Sequence, residues 1–400
     1  MAILSKSHRL FDPLDPECIA DPDDYMHASR SACPVGQVND FLFTANTDAA
    51  VREVFDDAAH FSNRGNFSLT AEDRTIPVIA VTMADPPGHT VLRRRLLKDL
   101  APARLRRLAP RVDDVVGRAI DALPSSGRAD LYADYVHFIP AAVLFSLIGV
   151  PQSAWTDVQE WSDVLVSGLA GRSEDLPEFG ALTGYLSQLV EDRRARPDDR
   201  HEDVLDNLCF AGTDEAEMST LEVIMHLMQL VVAATDTTRG LIANLLYRLL
   251  EHRDLWEQVL ADRSILSNAI EESLRRDSPA QFMVRSVVED VTVASCPIPA
   301  GKKIYLNIQS ANHDERRWGG DSRTFRIDRP GAAGHLAFGR GIHACIGAPL
   351  ARLEAHAAVA ALLDAYPDMT LAPGARWTKC EGPLIRRVRS VPVLLTGRED

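Results

Sequence analysis

The sequence predicts a mainly helical fold with a few short strands, of the α+β class. Three observations support this prediction. A segment from about Ser219 to Glu251 is apolar over most of a helical circumference. Amphipathic helical patterns recur along much of the remaining chain of 400 residues. Segments rich in β-branched and aromatic residues are few and short, as expected of small sheets.

The segment from Ser219 to Glu251 is the clearest element of the sequence. Ser219 or Thr220 is a plausible N-cap, because a side-chain hydroxyl can accept a hydrogen bond from the first turn. At roughly 1.5 Å per residue such a helix spans about 50 Å. It is therefore expected to cross the molecule as a central buried rod.

The remaining elements follow in chain order, with no internal repeat or flexible linker between them. Further helices are predicted near 86–100, 104–123, 140–150, 155–168, 176–196, 254–261, 265–276 and 347–365. Strands are predicted at 39–44, 288–293, 303–308 and 391–395, and a turn from Cys296 to Gly301. We expect one domain over residues 1–400, with its β-rich part in 39–84, 281–310 and 385–397.

Composition excludes several classes of function. Apolar residues make up 46% and charged residues 25% of the chain, which is typical of a globular protein. The net charge of −14 argues against nucleic acid and anionic membranes as general partners. No apolar run reaches the ~18 residues of a membrane span, and no signal sequence is evident, so we expect a cytoplasmic protein. The six cysteines follow no zinc or disulfide spacing: Cys18, Cys33, Cys209, Cys296, Cys345 and Cys380.

One basic run departs from the acidic average. Residues 93–107 contain seven arginines and lysines against the single acid Asp99. Such a run is either a solvated helix face or a surface that attracts an acidic partner.

The chemistry-bearing segment surrounds Cys345. Gly339 and Gly341 precede it and permit backbone conformations closed to other residues, and a helical pattern follows it. A sulfur at a helix N-terminus is favoured as thiolate by unpaired N–H groups and the helix dipole. The alternative is that Cys345 is a small buried hydrophobic residue, which is the usual role of a free cysteine.

The run FGRGIHACIG, residues 338–347, resembles the haem-binding signature FGxGxHxCxG of the cytochrome P-450 family at every fixed position. The resemblance implies a P-450 fold, with haem between the long central helix and the cysteine loop. It implies Cys345 as the axial thiolate, Phe338 packing on the ligand side of the haem, and His343 contacting a propionate. The small Gly347 would let the flat macrocycle approach the backbone.

A second match lies in the long helix. Residues 233–238, AATDTT, resemble the family's oxygen-binding segment. By resemblance Thr237 holds bound oxygen and a water, while Asp236 relays protons. The acid and hydroxyls in mid-helix are also expected to loosen the backbone ladder there. Ala234 replaces the usual glycine, which places the oxygen-side geometry in doubt.

Two further sets match the family by position. Glu272 and Arg275 form an ExxR pair that, with Arg329, resembles the family's structural triad. His89 and Arg93 of the HTxLR pattern, together with Arg285, occupy places that contact the haem propionates.

The resemblance covers residues 85 to the C-terminus and, more weakly, the first 84. It implies a monooxygenase with haem b that inserts one oxygen atom from O2 into an apolar or aromatic small molecule, by hydroxylation, epoxidation or O-demethylation. No GxGxxG fingerprint is present, so electrons must come from outside. The resemblance implies a ferredoxin with its NAD(P)H-dependent reductase, and a monomeric enzyme. The implied pocket residues are Phe67, Ile76, Val78, Ile79, Val232, Ala233, Phe282, Met283 and Leu384.

Two alternatives remain open from the sequence. A non-catalytic haem-thiolate sensor would keep Cys345 but would not need Asp236 and Thr237. A peroxide-driven relative would need no ferredoxin and usually alters that acid–alcohol pair. The presence of both residues favours monooxygenation.

Overall fold

The computed structural model describes residues 9–66, 68–70, 80–167, 175–201, 203–210, 216–380 and 384–396. The α-helices are α1 (Pro16–Ala20), α2 (Asp23–Ala32), α3 (Asp48–Asp56), α4 (Gly88–Leu97), α5 (Pro102–Ala122), α6 (Phe138–Ile148), α7 (Trp155–Ser167), α8 (Pro177–Arg194), α9 (Val204–Cys209), α10 (Thr220–Glu251), α11 (Arg253–Ala261), α12 (Leu266–Arg276), α13 (Ile308–Asn312), α14 (Glu315–Trp318) and α15 (Ala348–Ala365). The strands are β1 (Val35–Gln37), β2 (Leu42–Ala45), β3 (Phe61–Ser62), β4 (Gly127–Asp130), β5 (Phe282–Val287), β6 (Val291–Val293), β7 (Cys296–Ile298), β8 (Lys303–Asn307), β9 (Thr370–Leu371) and β10 (Pro392–Leu395). This mainly helical architecture confirms the predicted fold class.

Helix α10 is the long central element. Ser219 is its N-cap: the Ser219 hydroxyl accepts from the Glu222 N–H at 3.2 Å, and the Glu222 carboxylate accepts from the Ser219 N–H at 2.7 Å. This reciprocal capping box satisfies two donors that a helix start otherwise leaves unpaired. The helix packs against α6, α8, α12 and α15, so it lies inside the molecule over most of its length.

Two helical cores share α10. Its C-terminal half contributes Leu245 to a core with Val112 of α5 and Leu362 of α15. Its N-terminal half contributes Leu227 to a core with Leu186 of α8. Burial of both ends of α10 in separate cores fixes the middle of the helix in place.

The main sheet has the strand order β1-β2-β8-β5-β3, with β2 and β8 parallel and the other pairs antiparallel. Because alternate residues of a strand point to opposite faces, β5 presents Phe282 and Val284 to one side and Met283 and Arg285 to the other. Phe282 and Val284 pack in a core beneath the sheet. Arg285 is therefore directed to the opposite side, where the cysteine loop lies.

The β-structure differs from the predicted boundaries. The turn predicted from Cys296 to Gly301 is wrong at its start, because Cys296–Ile298 is strand β7 paired with β6. The turn of this hairpin lies at Ala294 and Ser295, which have positive φ of 46° and 68°. Strand β10 joins a separate sheet with β4 and β9, and β4 lies outside the ranges predicted to be β-rich.

A buried ionic cluster braces the chain that leads to the cysteine loop. The Glu272 carboxylate accepts from Arg275 at 2.7 and 2.8 Å and from Arg329 Nε at 3.0 Å. Arg275 also donates to the carbonyls of Asn312 and Ser322. The three side chains of this triad are at most 4% exposed, so their charges require partners within the protein, and Arg329 has a second one in Asp321 at 3.1 Å.

We expect Glu272→Gln to lower the free energy of unfolding by about 3–5 kcal/mol, because it leaves the buried Arg275 without its carboxylate and removes one of the two carboxylates that pair with Arg329. Urea denaturation followed by tryptophan fluorescence measures the loss. The matched control is Glu257→Gln, which breaks the exposed pair with Arg253 and should cost about 0.5 kcal/mol or less. Equal losses in the two variants would contradict the bracing role.

Candidate active site

The loop before α15 has a backbone that only glycine can supply. Gly339 and Gly341 have positive φ of 65° and 71°. A Cβ at Gly341 would lie 2.4 Å from the carbonyl oxygen of Phe55, so this loop rests directly on the end of α3. The Cys345 N–H donates to the Phe338 carbonyl at 2.8 Å, which closes the loop and sets Cys345 just before the helix.

The Cys345 thiol lies at the N-terminus of α15. Burial raises its pKa, while the backbone N–H groups of Gly347 and Ala348 and the guanidinium groups of Arg93 and Arg352 act in the opposite direction. The thiol is nevertheless accessible and in no disulfide. We infer that the sulfur faces an internal space, where these donors could hold a thiolate.

The opposite wall of this cavity is the middle of α10. Ala233 is exposed and Val232, Ala234 and Thr237 are partly exposed, within a helix that is otherwise largely buried. Ile346, the residue after Cys345, packs in the same apolar cluster as Val232 and Ala234. The residue after Cys345 and the centre of α10 thus belong to the same apolar cluster.

The acid–alcohol pair lies at this place on α10. The Thr237 hydroxyl donates to the Ala233 carbonyl at 2.8 Å, and the Asp236 carboxylate accepts from Arg387 Nε at 3.0 Å. The helix runs without interruption through both residues, so the expected loosening is not seen as a break. Sequence reasoning missed Arg387, because its pairing with Asp236 joins positions 151 residues apart.

Four basic side chains gather at one edge of the cavity. The rings of His89 and His343 lie 4.1 Å apart, and Arg93 donates to the Ala344 carbonyl at 2.7 Å. The Nε2 atom of His89 is buried with no partner among the described residues. Arg285, the fourth member, is 4% exposed and donates to the Val284 carbonyl.

The electrostatics of this basic cluster call for an anion. Burial, together with His89, Arg285 and Arg93, lowers the pKa of His343 to about 3. Burial lowers the pKa of Arg285 to about 10, against the attraction of Asp85, whose carboxylate already accepts from Ser62 and Asn63. Two arginines, beside two histidines that burial and these charges keep neutral and one of which leaves a ring nitrogen unused, fit the carboxylates of a bound haem.

The remaining predicted positions fall into three groups. Phe338 is partly buried beside the cysteine loop, with its ring 5.7 Å from that of His335. Met283 and Leu384 are partly exposed, whereas Phe282 is 3% exposed and stacks on Tyr305 at 4.5 Å. Phe282 is therefore a core residue and not a wall of the cavity. Phe67, Ile76, Val78 and Ile79 lie outside the described residues.

A thiol at a helix N-terminus, a basic cluster for two carboxylates and a central helix across the cavity define the site of a haem-thiolate protein. The comparison with family models agrees: the cytochrome P450 model matches residues 39–376. The chain belongs to the cytochrome P450 family, whose members bind haem through a cysteine thiolate and use O2 as co-substrate.

Similar proteins cover nearly the whole chain. The vitamin D(3) 25-hydroxylase of Pseudonocardia autotrophica is 35% identical over 92% of this chain and 91% of its own length. The monooxygenase PikC of Streptomyces venezuelae is 36% identical over 78% of this chain and 74% of its own. The crystal structure of CYP109E1 from Bacillus megaterium in complex with testosterone has a TM-score of 0.83 and 27% identity, over 94% of this chain and 99% of that one. The chain is a P450 monooxygenase of the bacterial type.

In the part of the chain that the structure describes, none of the helices has the length and apolar character needed to cross a membrane.

Proposed function

We propose that Cys345 is the haem ligand and that the enzyme inserts one oxygen atom from O2 into an apolar small molecule. The haem, when bound, supplies dioxygen activation, and the thiolate favours O–O cleavage. The observation that carries the proposal is the presence of Asp236 and Thr237 together in the middle of α10, the part of the helix that shares an apolar cluster with the residue after Cys345. A protein that only bound haem would have no use for an acid and an alcohol at that position.

Thr237 and Asp236 have distinct roles in this proposal. The Thr237 hydroxyl donates its hydrogen bond to the Ala233 carbonyl. Its oxygen can therefore accept a hydrogen bond from a water in the cavity. Asp236, one residue earlier, is held by Arg387, whose guanidinium lies 4.4 Å from the ring centre of Tyr132. The ion pair fixes the position of the Asp236 carboxylate next to Thr237 in the helix, where the carboxylate would take up a proton and pass it to the water that Thr237 holds.

The substrate we propose is large and mostly apolar. We infer a cavity wall formed by Val232 and Ala233 of α10 and, by the family resemblance, by Met283 and Leu384, all of which offer few polar contacts. The names of two similar proteins include vitamin D(3) and testosterone, both of which are large and mainly hydrocarbon. Binding of such a molecule would rest on apolar contact area more than on hydrogen bonds.

The electron donor we propose is a ferredoxin with its NAD(P)H-dependent reductase. Helix α4 carries His89 and Arg93 beside the cysteine loop, and its outer side continues into a basic surface. We define this basic surface by the exposed side chains of Arg94, Lys98, Arg106 and Arg107. A concentration of positive charge on a protein of net charge −14 would steer an acidic ferredoxin to the haem.

Arg95 does not belong to the basic surface, which corrects the expectation for the whole basic run. Its side chain is 6% exposed, and it donates to the carbonyls of Asn207, Leu208 and Ala216. Its contribution is to join α4 to α9.

We propose a monomeric enzyme of the cytoplasm. All six cysteines are free, including the exposed Cys33. Free thiols are typical of proteins in reducing compartments.

Thr237→Val should uncouple oxygen consumption from product formation, because the methyl group cannot hold the water that delivers protons. We expect product per NAD(P)H to fall at least about fivefold, with hydrogen peroxide making up the difference, which is below the factor of about 10²–10⁴ that general acid–base groups contribute to a rate. A substrate is first found by screening ligands for a spin-state change of the ferric haem and confirming that the enzyme oxidises it. Peroxide and product are then measured with this substrate in the reconstituted system.

The matched control is Thr235→Val, two residues earlier on α10. The Thr235 hydroxyl also donates to a backbone carbonyl, that of Val231, but the side chain is fully buried. This variant should remain coupled. Full coupling in Thr237→Val would remove the proposed role of Thr237.

The double variant Arg106→Glu, Arg107→Glu should slow reduction of the haem by ferredoxin about tenfold at low ionic strength, with a smaller effect as salt is added. Stopped-flow reduction kinetics measure the rate. Arg128→Glu, an exposed arginine of β4, serves as the control and should leave the rate unchanged. A reduction rate in the double variant equal to that of the control would place the docking surface elsewhere.

A further inference from the structure

A second ion pair joins α12 to α15 behind the cysteine loop. Arg352 donates through Nε and Nη2 to the two carboxylate oxygens of Glu271, at 2.6 and 2.8 Å. His335 Nε2 lies 3.2 Å from the same carboxylate. A two-point fork of this kind fixes both the position and the plane of a guanidinium group. Glu271 is 12% exposed and Arg352 is 38% exposed, so the pair is only partly open to solvent.

The guanidinium that Glu271 fixes lies against the cysteine loop. Its central carbon is 4.6 Å from the ring centre of Phe338. The Phe338 carbonyl in turn accepts a hydrogen bond from the Cys345 N–H. Arg352 lies in α15, seven residues after Cys345. Arg352 thus contacts the ring of the residue whose backbone is bonded to Cys345.

The charges of Arg352 and Cys345 act on each other. Both residues contact Phe338, Arg352 through its ring and Cys345 through its carbonyl, so the guanidinium lies near enough for its charge to act on the sulfur. Hydrogen bonding to Glu271 raises the pKa of Arg352, with a further contribution from Cys345. A fixed cation beside an electron-rich sulfur favours every state of the site that carries more negative charge.

We propose that Arg352, held by Glu271, is a positioning residue that sets the charge around Cys345 and thereby raises the reduction potential of the haem. Reduction of ferric haem adds one electron to a site that already contains a thiolate. The guanidinium stabilises this added charge through the low-polarity space around Phe338. The inference rests on Cys345 being the ligand, as proposed above, and goes beyond that assignment to the control of electron uptake.

The test is the equilibrium potential of the haem in Arg352→Gln, measured by spectroelectrochemical titration of the substrate-free holoenzyme at one pH. The equilibrium constant for one-electron reduction should fall about three- to tenfold, a tenfold fall being a shift of about 59 mV to more negative potential. No ferredoxin is present in this measurement, so a lost docking contact cannot produce the shift.

Three variants separate charge from packing. Arg352→Lys keeps the charge and should stay within about twofold of the wild type. Arg352→Met keeps contact with Phe338 but removes the charge, so its equilibrium constant should fall as much as that of Arg352→Gln. If Arg352→Gln does not fold, Arg352→Met takes its place in the test. Arg340→Gln removes another arginine of the cysteine loop, one paired with Asp56, and should stay within about twofold.

An equilibrium constant for reduction that is unchanged in Arg352→Gln and Arg352→Met would overturn the proposal. So would a fall in Arg352→Lys, or in Arg340→Gln, as large as the fall in the two neutral variants. Failure of the ligand assignment has a different signature, because the wild-type holoenzyme itself would then lack the spectrum of a thiolate-ligated haem.

Discussion

The position of one sulfur atom organises the functional part of this molecule. Two backbone N–H groups at the start of α15, those of Gly347 and Ala348, point at Cys345, while burial opposes its ionisation. The loop that presents the sulfur exists only because Gly341 can lie against the backbone of Phe55. A preformed donor set of this kind fixes the place of the ligand before any metal binds.

The rest of the fold supplies what a thiolate alone cannot. Helix α10 is anchored in two separate cores, so its accessible middle stands at a fixed place across the cavity from Cys345. The sheet directs Arg285 from β5 towards the His89–His343 pair, which gives the cavity an anion-binding edge. The triad of Glu272, Arg275 and Arg329 holds the intervening chain. In the proposed function, charged side chains would bind the haem carboxylates, apolar ones the substrate, and the acid–alcohol pair of α10 would supply protons.

Local patterns in the sequence predicted the elements whose signals are local. The length of α10, its capping by Ser219 and the helix after Cys345 all follow from periodicity and cap chemistry. Pairings between distant segments could not be predicted in this way. Arg387 holds Asp236 from a segment 151 positions later, and Arg95, one member of an apparently uniform basic run, turns inward to three carbonyls. The turn predicted from Cys296 to Gly301 is wrong at its start for another reason, because its first residues form β7 and pair with the neighbouring strand β6.

The most direct test of the account is the absorption spectrum of the reduced protein with carbon monoxide, recorded for the wild type and for Cys345→Ser. We expect the wild type to show the long-wavelength band that is characteristic of thiolate ligation, and the serine variant to lose it because the alcohol is a much weaker ligand. Retention of the band in Cys345→Ser, or its absence from folded, haem-loaded wild-type protein, would contradict the assignment of Cys345 on which the function depends.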